Sequence, residues 1–171
     1  LRLHLHKVIP LGAGLGGGSS DGAHTLRLVN QLGTLGLTHE QLATLALELG
    51  SDCPFFLQNQ VCVARGRGEQ LGPMLLNTKG LWLVLANPGI HVSTAEVYRN
   101  TTPTGKPWDW EQALGADRNT WSTRLPNTME PYVFRAYPKV GTLKVQLHEA
   151  GAFYSAMSGS GSSVFGLFIE E

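Results

Sequence analysis

The beginning of the chain combines an alternating segment, a glycine-rich segment and a helical pattern. Over residues 1–8 apolar and polar side chains alternate, with leucine at positions 1, 3 and 5, which predicts a half-buried strand. Residues 9–18 form a glycine-rich loop. Apolar residues then recur near helical spacing until Gly33, and the residues that suit the N-cap and first turn of this helix are Ser19, Ser20 and Asp21.

A second helix is predicted directly after the first. Thr38 and Gln41 have the spacing of a capping box. Leucine or alanine at positions 42, 45, 46 and 49 gives the apolar stripe of an amphipathic helix. Gly50 stands where a helix-ending glycine belongs, and a short apolar run at 55–57 follows it.

The rest of the chain mixes strand and helix patterns. Apolar runs predict strands at 61–64, 81–86, 153–157 and 164–169. Helices are predicted at 93–98, 108–114 and 138–150. A glycine–serine segment at 158–163 joins the last two strands, and the character of the sequence changes near 73–80. This mixture predicts an α+β fold in two layers, with a subdomain boundary near 73–80.

The composition narrows the function classes. The 171 residues are 42% hydrophobic and 15% charged, as in ordinary globular proteins. Thirteen basic and thirteen acidic residues cancel, which argues against a protein that holds nucleic acid by neutralising phosphates. The sequence has no signal peptide and no apolar run of about 18 residues, so we expect no membrane partner and a cytoplasmic location.

The sequence predicts no metal site built from protein side chains. Cys53 and Cys62 lack the spacing of metal ligands. His4 and His6 share the polar face of the first predicted strand, but no carboxylate at helical spacing completes a set of ligands with them.

The glycine-rich loop predicts an anion site. Five glycines between positions 12 and 18 permit tight turns and let a ligand approach the main chain without meeting a Cβ. The helix start behind the loop offers free N–H groups and a partial positive charge, which suit a phosphate. A flexible linker is the plain alternative. A Walker A loop is excluded because Gly18 is followed by serine rather than lysine. The glycines at 12, 14 and 17 match a dinucleotide fingerprint only weakly, because no second strand ending in an acidic residue follows.

Several segments, taken in order, resemble the GHMP family of small-molecule kinases, which includes galactokinase, homoserine kinase and mevalonate kinase. Residues 10–20 match its phosphate loop, Pro-x-x-x-Gly-Leu-Gly-x-Gly-Ser-Ser. The further segments that resemble the family are its catalytic aspartate segment at 49–56, the strand and turn at 64–69, an Asn-Asp-x-Glu segment at 127–131 with Thr128 in place of the aspartate, and the late glycine-rich segment at 157–165.

The resemblance implies an α+β fold of the GHMP-kinase type in two domains. Residues 1–75 correspond to the N-terminal, ATP-binding domain, and residues 76–171 to a ferredoxin-like C-terminal domain. Family members carry a catalytic lysine and substrate-binding residues ahead of the first strand, and further helix and strand after the last one. Because the chain begins without methionine, we expect it to be an internal piece in which both domains are truncated.

The same resemblance assigns Asp52 as the catalytic carboxylate that positions an alcohol nucleophile and takes its proton. From its neighbours alone, Asp52 in Gly-Ser-Asp-x-Pro is more often a turn or capping residue. Beside the apolar run at 55–57 we expect its carboxyl group to be partly desolvated and to need a cation nearby. In the family that cation is the N-terminal lysine.

The resemblance also implies where ATP and substrate bind. The residues expected to cradle the ATP phosphates are Pro10, Leu11, Gly12, Ala13, Gly14, Leu15, Gly16, Gly17, Gly18, Ser19 and Ser20. One of the two serines can cap the helix while the other binds a phosphate or Mg²⁺ through its hydroxyl. Thr94 resembles a substrate-side threonine, although the spacing Ser93-x-x-Glu96 is also that of a helix start. The segment 158–163 is either a second phosphate nest or a plain hairpin loop.

The activity implied is the phosphorylation of a small alcohol with ATP and Mg²⁺. The long form of the phosphate loop resembles the branch of the family that acts on the 2-hydroxyl of 4-diphosphocytidyl-2-C-methyl-D-erythritol, in the non-mevalonate route to isoprenoids. Two alternatives stay open: a GHMP kinase for homoserine or a mevalonate-type substrate, and a catalytically silent nucleotide-binding fragment. We expect a monomer or weak homodimer whose partner is a small molecule.

Overall fold

The structure, a computed structural model, describes residues 2–58, 60–103 and 108–169. The chain divides into two units: one contains Leu1–Leu15 and Thr78–Glu171, and the other contains Gly16–Asn77. We call the first the outer unit, because its two segments flank the other in the sequence, and we call the second the inner unit. The domain ranges 1–75 and 76–171 stay a prediction.

The inner unit packs two helices against a short 3-10 helix. Its elements are α1 (Gly17–Leu32), α2 (His39–Leu49), a 3-10 helix (Cys53–Leu57) and the antiparallel hairpin of β1 (Cys62–Arg65) and β2 (Gln70–Pro73). The side chains buried at its centre are Ala23, Leu42, Ala46, Cys53 and Leu57. The predicted capping box of α2 is confirmed, because Thr38 accepts from the backbone of Gln41 while the Gln41 side chain accepts from the backbone of Thr38.

The outer unit is built on a three-stranded antiparallel sheet. Its strands are β3 (Leu81–Ala86), β4 (Tyr154–Met157) and β5 (Val164–Ile169), in the order β3-β5-β4. Its helices are α3 (Thr94–Asn100), α4 (Trp110–Gly115), α5 (Trp121–Arg124), α6 (Glu130–Ala136) and α7 (Pro138–Glu149), with a 3-10 turn at Arg118–Thr120. The core contains Val92, Val97, Val133, Val140, Leu147, Ala152, Met157 and Val164.

The sheet and helices of the outer unit form two layers. Helix α7 packs against β4 and β5, and α6 packs against α7. Strand β3 is at an edge of the sheet and pairs only with β5 among the described strands. Its central residues, Trp82 to Leu85, are all exposed. The α+β class predicted from the sequence is confirmed by this arrangement of elements.

Two local predictions were wrong. Residues 2–8 form no strand, because alternation marks a possible strand face but supplies no hydrogen-bonded partner. Helix α1 begins at Gly17 rather than at the serines, since Gly16 adopts a left-handed conformation (φ 65°) and turns the chain into the helix earlier. The sequence patterns predicted neither β2 nor α6, although Pro131 lies in the first turn of α6, where proline is favoured. No described helix is long and apolar enough to cross a bilayer.

Candidate active site

In the outer unit, the first half of the glycine-rich loop is held against residues 158–163. Ser158 Oγ donates to the Gly14 carbonyl oxygen over 2.7 Å, and the Ser163 N–H donates to the Ala13 carbonyl oxygen over 2.9 Å. Gly14 has a φ of +73°, and a Cβ there would overlap the carbonyl oxygen of Ser158. Only glycine allows the two backbones to approach this closely.

The same half of the loop also lies against the segment that precedes α3. The Gly12 carbonyl oxygen accepts from the Val92 N–H over 3.4 Å. Gly12 has a φ of +66°, and a Cβ would overlap the imidazole of His91. Contacts from two other segments therefore fix the backbone of Gly12 and Gly14.

In the inner unit, the second half of the loop forms the start of α1. Gly16 is its N-cap, with a φ of 65°, and no side chain within the described ranges caps the helix. The N–H groups of Gly17, Gly18 and Ser19 therefore lack an acceptor inside the helix, as expected at a helix start. A Cβ on Gly18 would meet no atom of another described residue within 4 Å. This is an open helix N-terminus of the kind that favours negative charge.

The two serines of the loop differ in their surroundings. Ser20 donates its N–H to the Gly16 carbonyl oxygen, and its hydroxyl lies 3.4 Å from Nδ1 of His24. Ser19 is half-buried at the helix start, one residue before. Neither is the N-cap, so the capping role considered for them is wrong. The Ser19 hydroxyl forms no hydrogen bond within the described ranges, whereas the Ser20 hydroxyl contacts His24.

Asp52 is the residue immediately before the 3-10 helix of the inner unit. Its side chain is exposed and forms no hydrogen bond or ion pair within the described ranges. The expectation of a partly desolvated carboxyl group is not met, because the apolar run at 55–57 leaves Asp52 exposed. An exposed carboxylate is available to a ligand.

The 3-10 helix that follows Asp52 packs directly on the start of α1. An ideal Cβ on Gly16 would lie 2.6 Å from Cζ of Phe56, and one on Gly22 would lie 3.8 Å from Sγ of Cys53. Glycine at position 16 therefore lets the Phe56 ring lie on the helix N-terminus. In this way the inner unit brings the predicted aspartate segment and the second half of the predicted phosphate loop together.

The turn at 66–69 approaches Asp52 from the hairpin. An ideal Cβ on Gly68, where φ is +120°, would lie 2.8 Å from Oδ1 of Asp52. The Glu69 carboxylate stabilises this turn by accepting from the Arg67 N–H over 2.7 Å. Hydrogen bonds from the backbone N–H groups of Glu69 itself and of Arg67 lower the pKa of the Glu69 carboxyl group.

Thr94 is the first residue of α3, and it contacts the late glycine-rich segment. Its hydroxyl lies 2.9 Å from the hydroxyl of Ser160, which is buried. Ser93 is the N-cap of α3 and accepts from the Glu96 N–H over 3.4 Å. Thr94 therefore lies at the helix start, as predicted, and beside the segment that contacts Gly14.

Sequence reasoning missed the groups that hold residues 158–163 in place. Asn127 and Glu130 bond to the backbone of this region, and Lys144 pairs with Glu130. The resemblance of residues 127–131 to a family segment was a signal for the first two, although it assigned them no role. Lys144, in the middle of α7, had no signal in the sequence.

Within the described part of the chain, no three histidine, cysteine, aspartate or glutamate side chains are grouped as metal ligands. This does not bear on Mg²⁺ bound together with a nucleotide, because such an ion takes most of its ligands from phosphates and water. The donors that the loop offers are N–H groups, and these suit the phosphates rather than the cation.

Comparison with known proteins places both ends of the chain in one family. The family model described as the GHMP kinases N-terminal domain matches residues 1–60, and the model of the GHMP kinases C-terminal domain matches residues 109–171. The chain is 43% identical over 169 residues to the 4-diphosphocytidyl-2-C-methyl-D-erythritol kinase of Cytophaga hutchinsonii, covering 98% of this chain and 63% of that protein. It is 47% identical over 174 residues to the enzyme of that name from Citrifermentans bemidjiense, covering 100% of this chain and 61% of that protein.

Solved structures agree with this assignment. A crystal structure of 4-(cytidine 5'-diphospho)-2C-methyl-D-erythritol kinase matches with a TM-score of 0.79 at 38% identity, covering 95% of this chain and 59% of that one. Homoserine kinase from Cytophaga hutchinsonii matches with a TM-score of 0.73 at 21% identity, covering 96% and 59%, and shares the fold. The chain belongs to the GHMP kinase family, and the predicted relationship and GHMP-kinase fold are confirmed. It spans about three fifths of the length of the curated relatives named here, 63% and 61%.

Proposed function

We propose that this chain carries the phosphate loop and catalytic aspartate of an ATP-dependent kinase that phosphorylates the 2-hydroxyl of 4-diphosphocytidyl-2-C-methyl-D-erythritol. The observation that carries the proposal is identity of 41–47% to curated kinases of that name over nearly the whole chain. The reaction belongs to the non-mevalonate route to isoprenoid precursors. A cytoplasmic location and a monomer or weak homodimer are part of the same proposal.

ATP binds in this proposal through the backbone of residues 10–20. The uncapped N–H groups at the start of α1 receive phosphate oxygens, and the open space at Gly18 leaves room for them. Positive φ angles at Gly12, Gly14 and Gly16 give the loop its shape without any Cβ. Mg²⁺ bound with the nucleotide would neutralise charge on the phosphates during transfer. We assign Ser19 as the residue whose hydroxyl lies near that ion.

Asp52 acts in this proposal on the alcohol. Its carboxylate accepts the proton of the substrate hydroxyl as that oxygen attacks the γ-phosphorus of ATP, and the bond from that phosphorus to ADP breaks. The supporting geometry is its exposed carboxylate beside the 3-10 helix that packs on α1. Thr94, exposed and bonded to Ser160, is proposed on the substrate side.

The test is a substrate panel with the protein encoded by the complete reading frame that contains residues 1–171. ATP is supplied with 4-diphosphocytidyl-2-C-methyl-D-erythritol, homoserine or mevalonate, and phosphorylated product is measured directly. We expect turnover of the cytidine-linked substrate at a kcat/KM at least about 100-fold above the other two, since a site that hydrogen-bonds a polar group strongly rejects molecules lacking it. Turnover of homoserine or mevalonate alone would contradict the proposal.

The second candidate is a catalytically silent nucleotide-binding piece. It is favoured by one observation: no described cation pairs with Asp52. The same assay on residues 1–171 alone, next to equilibrium binding of ATP, separates the candidates. Binding without turnover, together with activity of the protein from the complete reading frame, would assign the silent role to this piece, whereas turnover by residues 1–171 would exclude it.

A further inference from the structure

The amide side chain of Asn127 bonds to the backbone of the late glycine-rich segment. Nδ2 of Asn127 donates to the carbonyl oxygens of Met157 over 2.9 Å and Gly159 over 2.8 Å. Its Oδ1 accepts from the Met129 N–H over 2.9 Å. Both amide hydrogens and the carbonyl oxygen are therefore used, and two of the three bonds go to the end of β4 and the segment after it.

A buried carboxylate holds the same point from a second direction. Glu130 is only 8% exposed, and its Oε1 accepts from the Met157 N–H over 2.9 Å. Its Oε2 accepts from Nζ of Lys144 on α7 over 2.6 Å. Burying a carboxylate is costly unless it has a charge partner and hydrogen bonds, and Glu130 has both. Asn127 and the Glu130–Lys144 pair together are called the anchor below.

The opposite side of the anchored segment contacts the phosphate loop. Ser158 Oγ donates to the Gly14 carbonyl oxygen, and the Ser163 N–H donates to the Ala13 carbonyl oxygen. A chain of direct contacts thus runs from Lys144 through Glu130 and Met157 to Ser158 and Gly14, with Asn127 gripping the residues on either side of Ser158.

We propose that Asn127 and the Glu130–Lys144 pair are positioning residues for nucleotide binding: they fix the backbone at 157–159, which in turn fixes Ala13 and Gly14 of the phosphate loop. The proposal rests on the proposed function, because it takes residues 10–20 as the ATP site. The hydrogen bonds of the anchor side chains all go to other groups of the protein. They act through the backbone of another segment and touch no reacting group.

Two substitutions of Asn127 separate this role from plain stabilisation of the fold. Asn127→Asp keeps an oxygen that can accept from the Met129 N–H, which precedes α6, but replaces the donor to Met157 and Gly159 by an acceptor. Asn127→Ala removes all three bonds. If only the turn before α6 mattered, the aspartate variant would behave like the wild-type protein. If the anchor positions the loop, both variants lose nucleotide affinity.

The control is a matched asparagine in α3. Nδ2 of Asn100 donates to the Glu96 carbonyl oxygen over 2.8 Å, on the surface. Asn100→Asp and Asn100→Ala therefore make the same chemical changes and break an amide–carbonyl bond that does not involve residues 157–163. Glu130→Gln adds a second probe of the anchor, because it keeps the shape of the side chain while placing an uncharged group against Lys144.

The experiment measures equilibrium binding of ATP·Mg²⁺ and amide hydrogen exchange of the ligand-free protein. For Asn127→Asp, Asn127→Ala and Glu130→Gln we expect the dissociation constant of ATP to rise about tenfold, the size expected for one or two net hydrogen bonds. Exchange at 11–15 and at 158–163 is expected to accelerate together by a similar factor. For the Asn100 variants we expect no change in either quantity.

Wild-type ATP affinity in Asn127→Asp would overturn the proposal, and so would faster exchange at 158–163 with unchanged exchange at 11–15. A wild-type protein that binds no ATP would contradict the proposed function itself. In that case the exchange of residues 11–15, which needs no nucleotide, still decides whether the anchor holds the loop.

Discussion

At the scale of single residues, glycine at certain positions is explained by what faces it. Gly14 faces the carbonyl of Ser158, Gly16 faces the ring of Phe56, and Gly68 faces the carboxylate of Asp52. Each has a positive φ, so side chains are disfavoured twice, by backbone strain and by overlap. For the glycine-rich loop the sequence predicted an anion site, with a flexible linker as the alternative. The neighbours that make these three glycines necessary are distant in sequence and became visible only in the folded chain.

Gly68 gives a direct test of how Asp52 is placed. In Gly68→Ala the new methyl group would lie 2.8 Å from Oδ1 of Asp52 and displace the carboxylate. We expect kcat to fall about 10- to 100-fold, because a displacement near 1 Å costs that much in well-aligned reactions. The KM for ATP is expected to stay unchanged, and steady-state kinetics with the cytidine-linked substrate measures both.

Two other glycines of the inner unit serve as controls for Gly68. Gly72→Ala lies in the same hairpin, and its methyl group comes no closer than 3.5 Å to another atom. Gly36→Ala introduces an alanine at a φ of +68° with open space around it, so it reports backbone strain alone. An equal loss of kcat in Gly36→Ala and Gly68→Ala would show that strain, not contact with Asp52, causes the effect.

The buried phenol of Tyr154 makes the stability of the fold depend on pH in the alkaline range. Burial, with a smaller contribution from the charge of Glu130, raises the pKa of the Tyr154 phenol from 10.0 to about 12, and its hydroxyl donates to the Leu125 carbonyl oxygen over 2.8 Å. Because the folded-state pKa is raised, the folded state binds more protons between these values. The contribution of this phenol to the free energy of unfolding is therefore fully present below pH 10 and is lost as the pH rises towards 12.

Tyr154→Phe isolates that contribution. At pH 7 we expect the variant to be less stable by about 1 kcal/mol, the cost of the lost hydrogen bond. Between about pH 10 and pH 12 the wild-type protein should lose roughly 2 to 3 kcal/mol that the variant does not lose, at about 1.4 kcal/mol per unit of pKa. Urea unfolding at pH 7, 10 and 11.5 measures the difference, and a difference that does not change with pH would contradict the assignment.

At the scale of elements, several sequence features that depend on residues close together in the chain predicted helices and strands correctly. The capping box of α2 and the helix start at Ser93 appeared where the sequence placed them, because each depends on residues three positions apart. The apolar strands β3 and β5 were also found at their predicted positions. The start of α1 was missed because Gly16, not a serine, turns the chain into the helix, and glycine leaves no side-chain signal.

Thr38→Ala tests the contribution of that capping box. The Thr38 hydroxyl accepts from the Gln41 N–H over 3.3 Å, and we expect its loss to destabilise the protein by about 1 kcal/mol. Thr44→Ala in the same helix is the matched control, because the Thr44 hydroxyl donates to a carbonyl oxygen within the helix and caps nothing. We expect that control to be neutral or slightly stabilising, since alanine has the higher helix propensity. Equal losses in the two variants, measured by urea unfolding, would argue against the cap.

At the scale of the whole molecule, the sequence predicted the class, the family and the order of the segments. It did not predict which distant segments touch. From the sequence, residues 158–163 were either a second phosphate nest or a plain hairpin loop. Their hydrogen bonds to Ala13 and Gly14 could be identified only in the folded chain. The pairing of Glu130 on α6 with Lys144 on α7 could not be predicted for the same reason, because an ion pair between two helices depends on how those helices pack.

The substitution Asp52→Asn tests whether Asp52 is the carboxylate that acts on the alcohol. The amide has the shape of the carboxyl group, and Asp52 forms no hydrogen bond or ion pair within the described ranges, so the substitution should leave the fold unchanged. Asp117→Asn, at another exposed aspartate, is the control for loss of one negative charge.

The measurement is transfer of the γ-phosphoryl group from ATP to 4-diphosphocytidyl-2-C-methyl-D-erythritol by the protein from the complete reading frame, with ATP binding followed in parallel. We expect Asp52→Asn to bind ATP as the wild-type protein does and to lower kcat by about 100-fold or more, the usual contribution of a general base. The Asp117→Asn control should keep wild-type kcat. An Asp52→Asn variant with a kcat within a fewfold of the wild-type value would contradict the assignment of Asp52.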